Sequence, residues 1–190
     1  AASGEKTNVY MVDFPRDGDA NYDGVWGHNN LSFVNGWHSG KAPRTNLKVL
    51  GSYSGNIAYC IEPGVTLKDG QSMTKYDENY FNNITSNGVI SGDEIRMFIG
   101  RIMQYGYRGG VSLSWKSQNA DAANSIAHAY ATQLLIWETV IGERDANFNH
   151  KSTSGYSNVK DVVSTSHPLR SKIFSYYDSM VQSVQNHSLV

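Results

Sequence analysis

Residues 120–141 constrain the fold more than any other stretch, because a glutamine stands where an amphipathic helix should be most apolar. Ile126, Tyr130, Trp137 and Val140 recur at the spacing that stacks side chains on one helical face. At roughly 100° per residue, Gln133 lies within about 60° of all four, while Asn124, His128 and Glu138 fall on the opposite side. The pattern predicts a helix that buries an amide and turns a polar face to water. An unpartnered buried amide costs on the order of 1–3 kcal/mol, so Gln133 is either bonded to a backbone group in the core or put to chemical use.

The lone cysteine, Cys60, lies far upstream in Tyr59-Cys60-Ile61-Glu62-Pro63-Gly64. Residues 46–53 and 57–61 flank Ser54-Gly55-Asn56 and read as a hairpin, which Pro63-Gly64 ends. Strand alternation puts Cys60 on one face with Ala58 and Glu62. A single cysteine excludes an internal disulfide. A buried cysteine in such a place is ordinarily a small core residue.

Elsewhere, residues 7–14 carry a β-branched and aromatic run that predicts a first strand. Asp19 to Asn30 opens like a calcium loop, but Asn30 replaces the bidentate glutamate at the twelfth position, so a solvated turn is the better reading. Gly36 to Ala42 lacks both the spacing and the hydroxyl of a phosphate loop. Ser91 with Glu94 forms a capping box for a helix bearing Ile95, Phe98, Ile99, Ile102 and Met103, stopped at Gly106 by a left-handed turn. Gly142 ends the Gln133 helix. Residues 143–165, rich in Ser and Asn, read as a mobile surface loop. Ser166-His167-Pro168 starts a last helix whose buried face is Ile173, Tyr176, Tyr177, Met180, Val181 and Val184. Strands followed by helices predict an α+β domain.

A net charge of −1 over 190 residues gives no field to attract nucleic acid or an anionic membrane. No apolar run is long enough to span a bilayer, and Ala1-Ala2-Ser3 opens no signal segment, so the chain is expected to be soluble. No two histidines stand at a spacing that favours one metal cluster, and no cofactor or metal is expected.

Together, Tyr-Cys-Ile-Glu-Pro-Gly at 59–64 and Thr-Gln-Leu-Leu-Ile-Trp-Glu at 132–138 resemble the thioester domains of Gram-positive surface adhesins. The resemblance implies that the Cys60 thiol and the Gln133 carboxamide condense, losing ammonia, into an internal thioester that reacts with amines. It implies a single thioester domain over residues 1–190, β-rich over 7–66 and helical over 91–141, with a C-terminal helix over 167–187. The β part would be a sandwich or barrel carrying a helical insertion, with the thioester at their interface. The insertion, between positions 73 apart (133 − 60), is shorter than in better-known relatives. The resemblance further implies an extracellular place on a bacterial surface, cell-wall anchored through regions outside this chain, as a monomeric part of a longer surface protein. Its partner would be a host surface or matrix protein bearing a reactive lysine, for which fibrinogen-like targets are a precedent.

The chemistry explains why rigid elements should carry the two groups. A thiol attacks a resonance-stabilised amide reluctantly in water, and holding sulfur beside the acyl carbon supplies roughly 7–11 kcal/mol of effective concentration. Tyr59, Tyr130 and Trp137 are candidates to screen the product from hydrolysis, although core packing explains them equally. Glu62 is a candidate proton acceptor for an incoming amine, a surface carboxylate being the alternative. Such a domain would act once and would not be an enzyme.

Two other readings remain open. One is a cysteine-nucleophile hydrolase or transferase with a base among His28, His38, His128, His150 and His167, although Pro63-Gly64 keeps Cys60 from the helix start where catalytic thiols are usually activated. The other is a noncovalent glycan or protein module using Trp26, Trp37 and Trp115.

Overall fold

The computed structural model describes residues 6–12, 31–37, 42–45, 47–52, 55–61, 70–74, 83–110, 120–151 and 159–187. The strands are β1 (Lys6–Met11), β2 (Leu31–Trp37), β3 (Ala42–Thr45), β4 (Lys48–Leu50), β5 (Ile57–Ala58) and β6 (Gln71–Thr74). The α-helices among the described residues are α1 (Gly92–Tyr105), α2 (Ala120–Val140) and α3 (Arg170–Gln185). A four-stranded antiparallel sheet in the order β5-β4-β1-β6 stands beside a two-stranded ribbon of β2 and β3. The fold is therefore α+β, as strands followed by helices predict.

The expected hairpin is present as β4 and β5, with Lys48 opposite Ala58 and Val49 opposite Ile57. β1 lies at the centre of its sheet because Val9 and Tyr10 pair with β4 on one side while Lys6 to Val9 pair with β6 on the other. Pairing of β5 stops at Ala58, so the alternation argument that placed Cys60 on one face with Ala58 and Glu62 does not apply. β2, β3 and β6 lie in stretches where sequence periodicity shows no strand. The Asp19 to Asn30 loop, His28, His38, Trp26, Trp115 and Glu62 lie outside the described residues.

Helix α1 begins as its sequence dictates: Ser91 accepts from the Glu94 amide at 3.1 Å and Glu94 accepts from the Ser91 amide at 3.0 Å. Such a cap contributes about 1 kcal/mol. The stop differs from expectation. Gly106 is extended, with φ −83°, and is not left-handed. Glycine is required there for a different reason: a Cβ would lie 2.6 Å from Thr132 Cγ2 and 2.7 Å from the Ile102 carbonyl oxygen. The chain leaves α1 pressed against α2. Gly142, by contrast, does end α2 with a left-handed φ of +85°.

Helix α2 corrects the amphipathic reading. It is buried on almost every side from Ala122 to Thr139, with only Asn124, Ser125 and His128 partly accessible. α1 and α3 pack on it from the directions assigned to water, and its alanines at 122, 123, 127, 129 and 131 permit close approach. Glu138, expected on the polar face, is 0 % exposed.

The segment expected to be mobile after α2 is core structure on both sides of residues 152–158, which lie outside the described set. Asp145 Oδ1 accepts from the Asn147 and Asn149 amides at 2.9 Å each, folding a tight turn. The turn holds Phe148 at φ +59°, a conformation costing roughly 1–2 kcal/mol for a non-glycine residue. In return the Phe148 ring is fully buried, 4.9 Å from Phe98. Val159, Val162 and Val163 are also buried, around a short 3₁₀ turn at Val159–Asp161. Helix α3 starts at Arg170, a turn later than expected, with the Leu169 amide donating to His167 Nδ1 at 3.1 Å. Ile173, Phe174, Tyr177, Met180 and Val184 form its buried face, with Tyr176 and Val181 partly buried.

Candidate functional site

Cys60 sits two residues past the end of β5, and Gln133 sits in the middle of α2. Sequence places them 73 positions apart, and the fold brings them into contact through two hydrogen bonds. The Cys60 amide donates to Gln133 Oε1 at 2.8 Å, and Gln133 Nε2 donates to the Cys60 carbonyl at 2.8 Å. The glutamine is thus satisfied by backbone, as a core amide must be. That backbone belongs to the only cysteine of the chain. Both bonds hold the carboxamide against the backbone of the residue that carries the thiol.

Burial divides the pair. Gln133 is 2 % exposed, whereas Cys60 is a half-buried free thiol followed by the exposed Ile61. Tyr130 and Trp137 stand one turn before and one turn after Gln133 on its face of α2, and both are buried. Burial drives the Tyr130 phenol well above its ordinary pKa, so it is a neutral ring.

A second set of contacts ties the preceding residues together. The Tyr59 hydroxyl donates to the Tyr107 carbonyl, and the Tyr107 amide donates to Thr132 Oγ1 at 3.0 Å. Burial raises the Tyr59 pKa far above normal, while a hydrogen bond with Thr132 opposes that rise. Thr132 Oγ1 in turn donates to the His128 carbonyl at 2.7 Å. The segment after α1 also runs along β5: the Ile57 amide donates to the Gly109 carbonyl at 3.2 Å, and Asn56 bridges to Gly110. Sequence reading missed Tyr107. Its only local signal is a tyrosine directly after the glycine that ends α1, because its partners lie 48 and 25 positions away.

The described histidines are taken up by other contacts. His128 Nε2 meets the Tyr105 carbonyl at 2.8 Å, with its ring stacked 4.6 Å from Tyr176. His150 lies 3.7 Å from Glu138, and His167 Nδ1 accepts from Leu169. Glu138 anchors a buried cluster at the C-terminal end of α2. Tyr177 donates to its Oε1 at 2.6 Å, and the Arg144 guanidinium lies 3.5 Å from its Oε2. Arg144 also donates to Tyr177 at 2.6 Å and to the Phe148 carbonyl at 2.9 Å. Desolvation outweighs Arg144 and Tyr177 and pushes the Glu138 carboxyl up to about 7.

Among the described residues no cluster of His, Cys, Asp or Glu is arranged to hold a metal ion, and no helix is long and apolar enough to cross a membrane. No curated protein and no solved structure matches the chain. The family model of the thioester domain matches residues 57–186, a span that starts at β5, contains Cys60, Tyr107 and Gln133, and runs to the end of α3. The cysteine at a strand end, the buried glutamine bonded to its backbone and this match lead to one assignment: the chain belongs to the thioester-domain family.

Proposed function

We propose that Cys60 and Gln133 condense into an internal thioester, and that the domain uses it once to bond covalently to an amine of a surface molecule. The observation that carries this reading is the two-point contact between the Gln133 carboxamide and the Cys60 backbone in a chain of this family.

The Cys60 sulfur adds to Gln133 Cδ, and negative charge grows on Oε1. The Cys60 amide already donates to that oxygen. One preorganised donor of this kind is worth roughly 3 kcal/mol in acyl transfer. The Cys60 carbonyl holds Nε2, the atom that must leave. The C–S bond forms, the C–N bond breaks, the thiol proton passes to nitrogen, and ammonia departs. In the second step an amine adds to the same carbon, the C–S bond breaks, and a proton from the amine nitrogen ends on the Cys60 sulfur. No oxidant or reductant enters either step. Burial of Gln133 in the core keeps water from the acyl group, and the half-buried Cys60 side is the direction of approach.

The partner is then a lysine of a host surface or matrix protein, and the setting is the outside of a Gram-positive cell, as a monomeric unit of a longer anchored protein. The new amide is resonance-stabilised and keeps its amine tied to the domain, so each molecule acts once, as an anchor and not an enzyme. The sandwich or barrel implied by resemblance would complete the two sheets. The test is the intact mass of fresh native protein, expected one ammonia below the sequence mass, with methylamine adding once at Gln133 and releasing the Cys60 thiol. Full sequence mass with a titratable thiol would overturn the proposal. Equal retention of a cell-surface target by Gln133→Ala would replace it with noncovalent binding.

A further inference from the structure

Cys60 lies beyond the last paired residue of β5, so the sheet ladder does not fix its position, whereas Gln133 is locked in a buried helix. Of the two hydrogen bonds between them, only the one from the Cys60 amide to Gln133 Oε1 outlasts the reaction, because Nε2 leaves with ammonia. We infer that the Tyr107 peptide is a brace that sets the distance between the two reacting residues, with the Tyr59 and Thr132 hydroxyls as its attachment points. This rests on the thioester reading above.

The residue before each reacting group is bonded to the same residue, Tyr107, whose carbonyl accepts from Tyr59 and whose amide donates to Thr132. Each attachment is itself held. Thr132 Oγ1 spends its proton on the His128 carbonyl, which leaves its lone pairs to accept the Tyr107 amide. The Tyr107 hydroxyl donates to the Gly110 carbonyl at 2.6 Å, closing the segment on itself, and Gly109 and Gly110 meet Ile57 and Asn56. Gly106 makes the approach available: a Cβ there would lie 2.8 Å from Thr132 Oγ1. None of these bonds involves the departing nitrogen, so the brace outlasts condensation. Positional error matters here because displacement of about 1 Å can slow an intramolecular reaction on the order of a hundredfold. Tyr59 and Thr132 are thus positioning residues, acting through Tyr107 and through the hydrogen bond between their own side chains on the separation of Cys60 from Gln133.

The test follows ammonia loss by intact mass after pulsed cell-free synthesis, at a temperature where every variant is folded, with melting measured in parallel. Tyr59→Phe and Thr132→Val each remove one hydroxyl while keeping bulk, and each is expected to lengthen the half-time of ammonia loss at least about tenfold. Thr132→Ser, which keeps the hydroxyl, is expected to restore it to within about threefold. A structural role alone would lower melting without changing the half-time. Wild-type half-times in Tyr59→Phe or Thr132→Val overturn the brace while leaving the thioester standing, and so does a Thr132→Ser as slow as Thr132→Val. Absence of ammonia loss in the wild-type chain overturns both.

Discussion

Removing either side chain of the proposed Cys60–Gln133 cross-link would abolish it, yet the contacts of the two residues predict that the removals differ in cost. A bond between positions 73 apart constrains the unfolded chain by about 4 kcal/mol on the loop-entropy scale used for disulfides. In Cys60→Ala that contribution is lost, but the contacts to Gln133 come from the backbone of residue 60 and survive the substitution. The intact amide regains its bond to the residue 60 carbonyl, worth about 1 kcal/mol, so the net loss is about 3 kcal/mol. For a chain of this length that lowers Tm by roughly 6–12 °C. Gln133→Ala loses the cross-link too, removes both hydrogen bonds, and leaves a void at a position 2 % exposed. Stranded polar groups and the void add about 2 kcal/mol or more. The expected order of Tm is wild type, then Cys60→Ala, then Gln133→Ala, read by calorimetry on samples whose cross-link state is set by intact mass. Equal melting of wild type and Cys60→Ala would refute the entropic argument. A Gln133→Ala chain as stable as Cys60→Ala would refute the contact between amide and backbone.

Two further outcomes are expected. Since the folded-state pKa of Glu138, near 7, stands above its ordinary 4.5, its contribution to stability is whole below about 4.5 and is lost as pH rises through about 7, a change of about 3 kcal/mol. His128 and His150, whose pKa values burial lowers, act in the opposite direction as pH falls through 6.5, so the readout is the difference between wild type and Glu138→Gln. That difference should shrink between pH 5 and pH 8 as Glu138 ionises beside Arg144, Tyr177, Glu143 and His150; a pH-independent difference would discount it. Because the acyl group is almost sealed, methylamine should outpace isopropylamine by at least about tenfold more than it does with a small-molecule thioester, measured as adduct formation by mass. An unchanged ratio would mean that the acyl carbon lies open.

How much was legible in the chain follows from the range of each interaction. Local rules determined the Ser91–Glu94 cap, the β4–β5 hairpin, the left-handed Gly142 and the helical phase that puts Gln133 on a face with Tyr130 and Trp137, because each depends on neighbours within a turn or a strand pair. The motif pair also named Cys60 and Gln133, since residue type and flanking pattern carry the chemistry. The environment of α2 was not legible: periodicity reports which side of a helix is more apolar, and α1, α3 and the turn at Phe148 cover the less apolar side as well. Glu138 could then be read as solvated until Arg144 and Tyr177 were placed against it. Gly106 read as a left-handed stop, and only the approach of Thr132 showed why a glycine stands there. Beyond its place after Gly106, Tyr107 carried no signal, because what it does depends on Tyr59 and Thr132 arriving from elements distant in sequence. The sequence alone picked out Cys60 and Gln133 as the pair proposed to react. The tertiary structure decided how they are held apart from water and beside each other, because distance and dielectric are properties of packed elements and not of residue order.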